Sequence, residues 1–400
     1  MARTRHRSTP PRVAVLIETS MAYGREMLHG VSEYIKERDP WAIYFEHRSL
    51  QDPAPPWLAD WRGDGIIARL APQISDSVLK TGAPTVNIDD QDPRPDVPNV
   101  QSDHEAIGSL GFAHLRQRGC ERFAFVGHPQ FEWSVRRWNG FAEAASATGH
   151  RCGHYFSKTP VSWGHQEASW ELELEGLGHW LADQPKPLGI MVCNDFVGVR
   201  VLEACRRMGL ASPDDVAVVG VDNDPLACEM ANPPLSSIIP DCRRIGYEAA
   251  ALLNAMMNGK RPRKTRREIP PLGVAVRRST DNTEEAGDPL VAQAVRFIRD
   301  RAREGIRVDD VLDHVGASRS VLQRRFRRTS HQTIHRTIVE ARLNIVKQLL
   351  IETDLPLPEI AQRAGYSHAE YLCAAFRQAT GSTPGGFRRQ NQKATIVGVG

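Results

Sequence analysis

Carboxylate, amide, guanidinium and indole side chains gather in this sequence at the points where short apolar runs end. They are Glu18, Thr19, Ser20, Tyr23, Trp133, Arg136, Arg137, Trp138, Asn194, Asp195, Asp222, Asn223 and Asp224. A polyol needs this combination, because each hydroxyl both donates and accepts hydrogen bonds and its C–H face is apolar. The set therefore indicates a sugar-like ligand. Since Asn and Asp after a strand also cap helices, we expect one of Asn194 and Asp195 to be a cap and at least one to contact the ligand.

A second set of chemically active residues is strongly basic and lies in VDDVLDHVGASRSVLQRRFRR, residues 308–328. Apolar residues at helical spacing stop at Gly316, Ser318 can cap a new helix, and the spacing resumes at Leu322 and Phe326. The sequence predicts helix, turn, helix, with Arg319, Gln323, Arg324 and Arg327 around the apolar stripe of the second helix. A solvated basic face is the alternative, but this composition is typical of a helix laid against DNA phosphates and base edges.

The elements that position the polar set are short apolar strands that alternate with amphipathic helices. Strands are predicted at 13–17, 41–46, 65–70, 84–88, 122–127, 188–193 and 216–221, with helices at 23–38, 104–117 and 139–148 and a loop carrying Trp133 to Trp138. Such strands form parallel sheets covered on both faces, and ligands bind at their carboxyl ends. About 270 residues of this pattern suit two α/β lobes.

Charge and cysteine content set the broad class. Residues 290–400 hold 18 Lys and Arg against 10 Asp and Glu, although the whole chain carries a formal net charge of only +3. Basic charge is therefore local to the C-terminal part. Seven scattered cysteines without a CxxC pair indicate reduced thiols, and the apolar run after the basic N-terminus is too short for a signal sequence or a membrane span. We expect a cytoplasmic protein that is not membrane-bound and has no cofactor or metal.

The segment LGIMVCNDFVGVRVLEACRRMGLASPDDVAVVGVDNDP, residues 188–225, resembles the ligand domain of the lactose-repressor (LacI) type. NVQSDHEAIGSLGFAHLRQRGCERFAFVG (99–127) and the R-x-x-G-F motif beginning at Arg137 are similar to the same family. The resemblance covers about residues 12–279 and implies a two-lobed, periplasmic-binding-protein-like fold. It implies effector contacts from Arg137, Asn194 and Asp222, with Asp103 lining the cleft. In contrast to that family, no helix-turn-helix precedes this domain.

The C-terminal part contains an internal repeat of two helix-turn-helix segments, 49 residues apart from Gly316 to Gly365. The second repeat, I-A-x-x-x-G-Y-S followed by Y-L and F-x-x-x-T-G-x-T-P-x-x-F-R, resembles the arabinose-activator (AraC) family DNA-binding domain. The resemblance implies two recognition helices, joined by a helix over 334–350, in successive major-groove segments. It places first-helix base contacts at Ser320, Gln323 and Arg324, and the corresponding second-helix positions at Ala369, Glu370, Cys373 and Ala374. His368, Arg377 and Arg388 complete the second DNA face, which either reads thymine methyls or docks on the DNA backbone.

The predicted domains are a flexible basic arm (1–11), the effector domain (12–279), a linker (280–289), the DNA-binding domain (290–389) and a disordered tail (390–400). Their order, with the junction RRSTD at 277–281, resembles activators of xylose operons. This implies a homodimeric regulator that binds repeated half-sites on double-stranded DNA, takes a pentose effector, D-xylose first, and contacts RNA polymerase if it is an activator. A repressor, or a regulator of another small molecule, is the alternative.

An enzyme acting on a sugar is the rival class. Asp222, Asn223, Asp224 and Glu229 could imitate an acid–base or metal cluster, and His104 or His128 could serve as a base. The sequence contains no GxSxG, P-loop, HExxH or strand-linked GxGxxG motif, which makes catalysis the weaker hypothesis.

Overall fold

The computed structural model of the protein describes residues 9–38, 40–89, 94–157, 167–260, 262, 265–281, 289–329, 333–353 and 355–393. The chain divides into two compact units, an N-terminal unit, Met1–Asp281, and a C-terminal unit, Asn282–Gly400. Most of the predicted arm, linker and tail lies outside the described residues. Residues Gln390 to Lys393, which we expected in the tail, continue the last helix.

The N-terminal unit is built on two six-stranded sheets of short strands rich in Val and Ile. The strands are β1 (Arg12–Leu16), β2 (Ala42–Phe45), β3 (Gly65–Ala68), β4 (Thr85–Asn87), β5 (Asn99–Ser102), β6 (Phe123–Gly127), β7 (Cys152–Phe156), β8 (Leu188–Val192), β9 (Val216–Val221), β10 (Ser236–Ile239), β11 (Arg266–Ile269) and β12 (Gly273–Ala275). The first sheet has the order β11-β5-β4-β3-β1-β2, and the second has the order β12-β10-β9-β8-β6-β7. All described pairings are parallel except that of β10 with β12. Central strands such as β3, β6, β8 and β9 are buried along their whole length, as expected of parallel sheets covered on both faces.

In the described part of this unit, eight α-helices cover these sheets. They are α1 (Ala22–Glu37), α2 (Ser75–Lys80), α3 (His104–Gln117), α4 (Glu132–Ser146), α5 (Glu167–Asp183), α6 (Asp195–Arg207), α7 (Pro225–Met230) and α8 (Cys242–Met257). Helices α1 and α8 pack on each other beside the first sheet, and α3, α4 and α6 pack on the second. The chain crosses between the two lobes at three places, after β5, after β10 and between β11 and β12. The predicted two-lobed α/β fold is confirmed.

The segment from Trp133 to Trp138 differs from the prediction. We expected a loop, but these residues belong to the first turns of α4, and only His128 to Phe131 separate β6 from that helix. The Ser134 hydroxyl accepts a hydrogen bond from the His128 amide at 3.0 Å, which closes the turn. Arg137 is consequently held by a helix rather than by a loop.

The last residues of the N-terminal unit are buried against the second sheet and hydrogen-bonded to it. Ser279 and Thr280 are fully buried, and Asp281 nearly so. The Ser279 hydroxyl donates to the Val218 carbonyl at 2.6 Å and accepts from the Ser236 amide at 2.8 Å. Thr280 and Asp281, which the sequence assigned to the linker, therefore lie inside the N-terminal unit, because their side chains find buried partners there.

The C-terminal unit is helical in the part that the structure describes. Its helices are α9 (Pro289–Arg301), α10 (Val308–Val315), α11 (Arg319–Thr329), α12 (Ile334–Glu352), α13 (Leu357–Arg363), α14 (Ala369–Thr380) and α15 (Pro384–Lys393). Helices α10 and α11 form the first helix-turn-helix, and α13 and α14 form the second. The turns contain Gly316 at φ 67° and Gly365 at φ 76°, in the left-handed region that glycine adopts without strain. The predicted tandem is confirmed.

Each helix-turn-helix has its own core. Leu322 and Phe326 of the first pack with Ile334 and Ile338 from the N-terminal half of α12. Leu372 and Phe376 of the second pack with Leu343, Val346 and Leu350 from the C-terminal half of the same helix. Helix α12 thus belongs to both cores.

Candidate functional site

The two lobes of the N-terminal unit enclose a polar cavity of about 40 Å³. Its walls come from residues at or just beyond the carboxyl ends of strands in both sheets, where parallel α/β folds bind ligands. They are Met21, Tyr23, Leu50, Arg69, Asp89, His104, Trp133, Arg137, Asn194 and Asp222. The volume has room for a few water molecules. The cavity is small and partly open to solvent.

Arg69 is the centre of the first-lobe wall. It follows β3, is 9% exposed, and forms ion pairs with both Glu18 and Asp89. Its guanidinium carbon lies 5.0 Å from the centre of the Tyr23 ring, and the Tyr23 hydroxyl is 3.0 Å from that of Ser102. Burial alone would lower the pKa of Arg69, but Asp89 and Glu18 outweigh it and hold that pKa above its usual range. A permanent cation therefore faces the cavity from this lobe.

Arg137 holds the corresponding position in the second lobe. It donates to the Cys193 carbonyl, and its Nη2 lies 3.5 Å from Oδ1 of Asp222. Its guanidinium carbon lies 5.0 Å from the centre of the Trp133 ring. Burial raises the pKa of Asp222 to about 6, although Arg137 lowers it. Each lobe thus presents an Arg–Asp pair beside an aromatic ring.

The backbone at the end of β9 is strained. Asp222 has a φ of 103° and Asn223 a φ of 49°, values that residues other than glycine rarely adopt. The Asn223 amide donates to the Ser237 hydroxyl at 2.9 Å, which helps to hold this turn. Strain of this kind costs about 1–3 kcal/mol per residue and concentrates at ligand sites. It directs the Asp222 carboxylate into the cleft.

Two buried polar atoms of the cavity wall have no hydrogen-bond partner among the described residues. They are Nε1 of Trp133, a donor, and Oδ1 of Asp222, an acceptor whose ion pair with Nη2 of Arg137, at 3.5 Å, is longer than a good hydrogen bond. Burial, followed by the charge of Arg137, keeps the pKa of His104 well below its usual range, so its imidazole is neutral. A neutral ligand with hydroxyls satisfies such a donor and acceptor, and the Trp133 ring offers a face for its C–H groups.

The residues predicted to contact the ligand are Glu18, Tyr23, Asp103, Trp133, Arg136, Arg137, Asn194, Asp195 and Asp222. Five of these nine line the cavity: Tyr23, Trp133, Arg137, Asn194 and Asp222. Asn194 also caps α6, since its side chain accepts from the Val197 amide at 3.0 Å. Asn194 thus both caps α6 and lines the cavity, whereas Asp195 does not line it.

The other four predicted residues have structural partners. Glu18 is buried behind Arg69, and Asp103 caps α3 by accepting from the Ala106 amide at 2.9 Å. Arg136 pairs with Glu105 and Glu268. Asp195 is fully buried, where it accepts from the Ser237 hydroxyl at 2.6 Å and the Asp224 amide at 2.8 Å, and burial raises its pKa to about 8. These contacts hold the elements that carry the cavity.

Sequence reasoning missed Arg69, Asp89, Met21 and Leu50, and it considered His104 only as a base. Arg69 and Asp89 follow strands that were recognised, and both are the first charged residue after the strand. The rule that identified Asn194 and Asp222 would have found Asp89, but Arg69 lies inside the strand predicted at 65–70 and so was not taken as a residue after a strand. Met21 and Leu50 carry no such signal, because they are apolar residues in loops.

The recognition helix of the first helix-turn-helix is α11. Arg319, Ser320, Arg324 and Arg327 are exposed on it, and Gln323 is half-buried. Nη2 of Arg319 lies 2.9 Å from Oδ1 of Asp309, but both side chains are more than 60% exposed, so DNA can displace this pair at little cost.

The corresponding helix of the second helix-turn-helix is α14. His368, Glu370 and Arg377 are exposed at its surface, whereas Ala369 and Cys373 are half-buried. Tyr371, on the same helix, is 63% exposed. Arg388 is half-buried and donates to the Leu355 carbonyl at 2.7 Å, so it supports the fold of this segment.

Among the described residues, no group of His, Cys, Asp and Glu side chains is arranged to hold a metal ion. Nor does any described helix combine the length and apolar character required to cross a bilayer. All seven cysteines are free thiols.

Three family models match consecutive parts of the chain. They are the XylR N-terminal domain at residues 12–105, the periplasmic binding protein-like domain at 112–280, and a helix-turn-helix domain at 311–390. The xylose operon regulatory protein of Escherichia coli (strain K12) is 32% identical over 398 residues, which cover 96% of this chain and 98% of that protein. Its counterpart in Haemophilus influenzae is 32% identical over 386 residues, covering 94% and 98%.

Solved structures give the same picture. The structure of the xylose-binding transcription activator xylR matches with a TM-score of 0.62 at 31% identity and covers 96% of this chain and 99% of that chain. A periplasmic binding protein/LacI transcriptional regulator from Alkaliphilus metalliredigens, in complex with D-xylulofuranose, matches with a TM-score of 0.53. It covers 68% of this chain and all of that chain, and at 19% identity it supports the fold alone.

Proposed function

This chain belongs to the xylose operon regulatory protein family, and from that membership we propose that it activates pentose catabolism genes with D-xylose as its effector. It is a sugar-responsive, DNA-binding transcription regulator. The observation that supports the effector most directly is the cleft, where Arg69 and Asp89 of one lobe face Arg137 and Asp222 of the other.

The sugar is bound by groups from both lobes. Its hydroxyls donate to the carboxylates of Asp89 and Asp222 and accept from the guanidinium groups of Arg69 and Arg137. The Trp133 ring covers a C–H face, and its Nε1 donates to a hydroxyl. Asn194, whose side-chain oxygen caps α6, offers its amide nitrogen to the ligand.

The lobes must part to admit the sugar and close upon it. The cavity of about 40 Å³ is too small to receive a pentose without movement. The Ala22 amide of the first lobe lies 3.3 Å from Oδ2 of Asp224 in the second, so closure also makes contacts at the edge of the cleft. Hinge closure around a ligand is a common response of two-lobed domains.

The C-terminal unit reads DNA through two recognition helices. Ser320, Gln323 and Arg324 contact bases, with Arg suited to guanine and Gln to adenine, and Arg319 and Arg327 contact phosphates. Helix α14 contacts bases less strongly, and its main role is to dock on the DNA backbone. The residues of this surface are His368, Glu370, Arg377 and the small Ala369 and Cys373.

The working protein is a cytoplasmic homodimer whose two tandem domains bind repeated half-sites, and it contacts RNA polymerase when it activates. It is not an enzyme, and it takes no cofactor. Sugar-driven closure alters how the dimer presents its DNA-binding units.

A thermal-shift panel tests the effector. The full chain is heated with D-xylose, other pentoses or hexoses, and the sugar that binds raises the unfolding free energy by RT ln(1 + [L]/Kd), about 2.7 kcal/mol at 100 Kd. Asp222→Ala should lose the shift. Asp76→Ala, at an exposed residue of α2, is the matched control and should keep it.

Failure of every sugar would remove the ligand proposal and leave the regulator class in place. A thermal shift only with hexoses would identify a hexose, rather than a pentose, as the effector. Turnover of the bound sugar would restore the enzyme alternative, and a DNA footprint unaffected by the effective sugar would contradict the proposed coupling.

A further inference from the structure

Arg342 lies where the two helix-turn-helix segments meet on α12. Ile338, one turn earlier, belongs to the first core, and Leu343, the next residue, belongs to the second. The Arg342 side chain is half-buried. It therefore sits at the point about which the two cores would bend relative to each other.

The side chain contacts both segments at once. Its Nη2 donates to the Ile306 carbonyl at 2.6 Å, in the loop that leads into the first helix-turn-helix. Its guanidinium carbon lies 5.5 Å from the centre of the Tyr366 ring, in the turn of the second. We call Arg342, Ile306 and Tyr366 the Arg342 clamp.

The backbones beside the clamp also touch. A Cβ at Gly365 would lie 2.3 Å from the Ala302 carbonyl oxygen and 2.9 Å from the Gly305 nitrogen. Gly365 therefore meets two requirements, a left-handed φ and a direct approach to the loop at Gly305. The turn of the second helix-turn-helix is packed on the loop before the first, in addition to being joined to it by α12.

Stability alone does not account for an arginine here. Among the residues that the structure describes, no carboxylate forms an ion pair with Arg342, and its Nε is buried without a hydrogen-bond partner. Burial lowers its pKa, so the charge is held at a cost. A half-buried cation without an ion-pair partner is a costly way to fill space that an apolar side chain of similar length could fill. The guanidinium adds contacts of defined geometry, a hydrogen bond to the Ile306 carbonyl and stacking on the Tyr366 ring.

We propose that Arg342 is a specificity-determining residue that fixes the angle between α11 and α14, and with it the spacing of the two DNA segments that the protein accepts. Its part is positional, because its guanidinium is occupied by Ile306 and Tyr366. A one-base-pair change in spacing moves one segment by 3.4 Å and about a tenth of a turn relative to the other. A rigid pair of helices cannot follow both segments after that change.

The test compares Arg342→Met with wild type, both as full chains, on a DNA site selected from random sequence and on the same site with one base pair inserted or removed between the segments. Wild type should lose roughly tenfold in affinity on the altered sites, the equivalent of one good base contact. Arg342→Met should bind the selected site less tightly but lose less than about threefold on the altered sites, because its two segments adjust independently. Arg336→Met, the same change on an exposed residue of the same helix, is the control and should keep the wild-type ratio.

A second measurement needs no DNA. Spin labels carried by non-cysteine amino acids at Asp313 and Gln362, exposed on α10 and α13, report the distance between the segments. The distance distribution should be narrow in wild type and Arg336→Met, and broad in Arg342→Met. An unchanged width, or a uniform loss of affinity at every spacing, would overturn the proposal and make Arg342 an ordinary structural or phosphate-binding residue.

Discussion

Replacing Arg69 by Met tests the charge arrangement of the cleft most severely. The change keeps an unbranched apolar stem and removes the guanidinium that neutralises Glu18 and Asp89, which are 1% and 4% exposed. Breaking a buried ion pair from one side typically costs about 3–5 kcal/mol, because it leaves an uncompensated charge. We expect a loss of that size in the unfolding free energy of the N-terminal unit at pH 7.5.

The loss should depend on pH in a defined direction. Burial raises the pKa of Glu18, and Arg69 opposes that rise. Without Arg69 the pKa rises further above the unfolded value of about 4.3, so the folded variant takes up a proton more readily than the unfolded chain. Stability that depends on such a proton is present at low pH and lost as the pH rises through the folded pKa. The deficit should therefore be smaller at pH 5 than at pH 7.5.

Urea unfolding followed by tryptophan fluorescence measures this directly, because all eight tryptophans lie in the N-terminal unit. Arg94→Met is the control, since Arg94 forms a partly exposed pair with Asp76, and it should cost less than about 1 kcal/mol. A deficit below about 1 kcal/mol for Arg69→Met, or the same deficit at both pH values, would refute the reasoning.

Two further predictions concern the ligand and the DNA. The pKa of Asp222 is about 6, and we expect the sugar to prefer the ionised carboxylate. Calorimetry should then show the affinity of wild type for the sugar falling about tenfold per pH unit below 6, and the affinity of Asp222→Asn staying constant. A wild-type affinity that does not change with pH would contradict a contact with the carboxylate. Arg324→Ala should cost about 1–3 kcal/mol in binding and relax specificity at one base pair, measured on a panel of single-base variants; equal weakening on every sequence would identify Arg324 as a phosphate contact.

The fold could be predicted because its signals are local. The continuous apolar runs at β1, β3, β6, β8 and β9 and the helices between them indicate parallel sheets without any knowledge of long-range contacts. The tandem was predictable from Gly316 and Gly365, since each marks a turn that needs a left-handed residue. Five strands, β5, β7, β10, β11 and β12, were missed, because each is short and polar or partly exposed residues interrupt its apolar run.

The site residues could be predicted where they directly follow a strand that the sequence reveals. Asn194 and Asp222 follow strand ends and line the cavity. Which member of an ion pair faces the cavity depends on tertiary packing, so Glu18 was chosen where Arg69 stands in front of it. Arg136 and Arg137 are neighbours on one helix, but only Arg137 reaches the cleft, because Glu105 and Glu268 hold Arg136 elsewhere.

The burial of residues 279–281 matters when this ligand-binding unit is fused to other DNA-binding domains. A fusion joint placed before Ser279 would remove the hydroxyl that pairs with the Val218 carbonyl and the Ser236 amide, at about 1–3 kcal/mol for each buried group left unpaired. Val218 lies on β9, the strand directly before Asp222, so the damage would reach the sugar cleft. A transplantable module should therefore run through Asp281, and chimeras joined three residues earlier, after Arg278, should lose both stability and response.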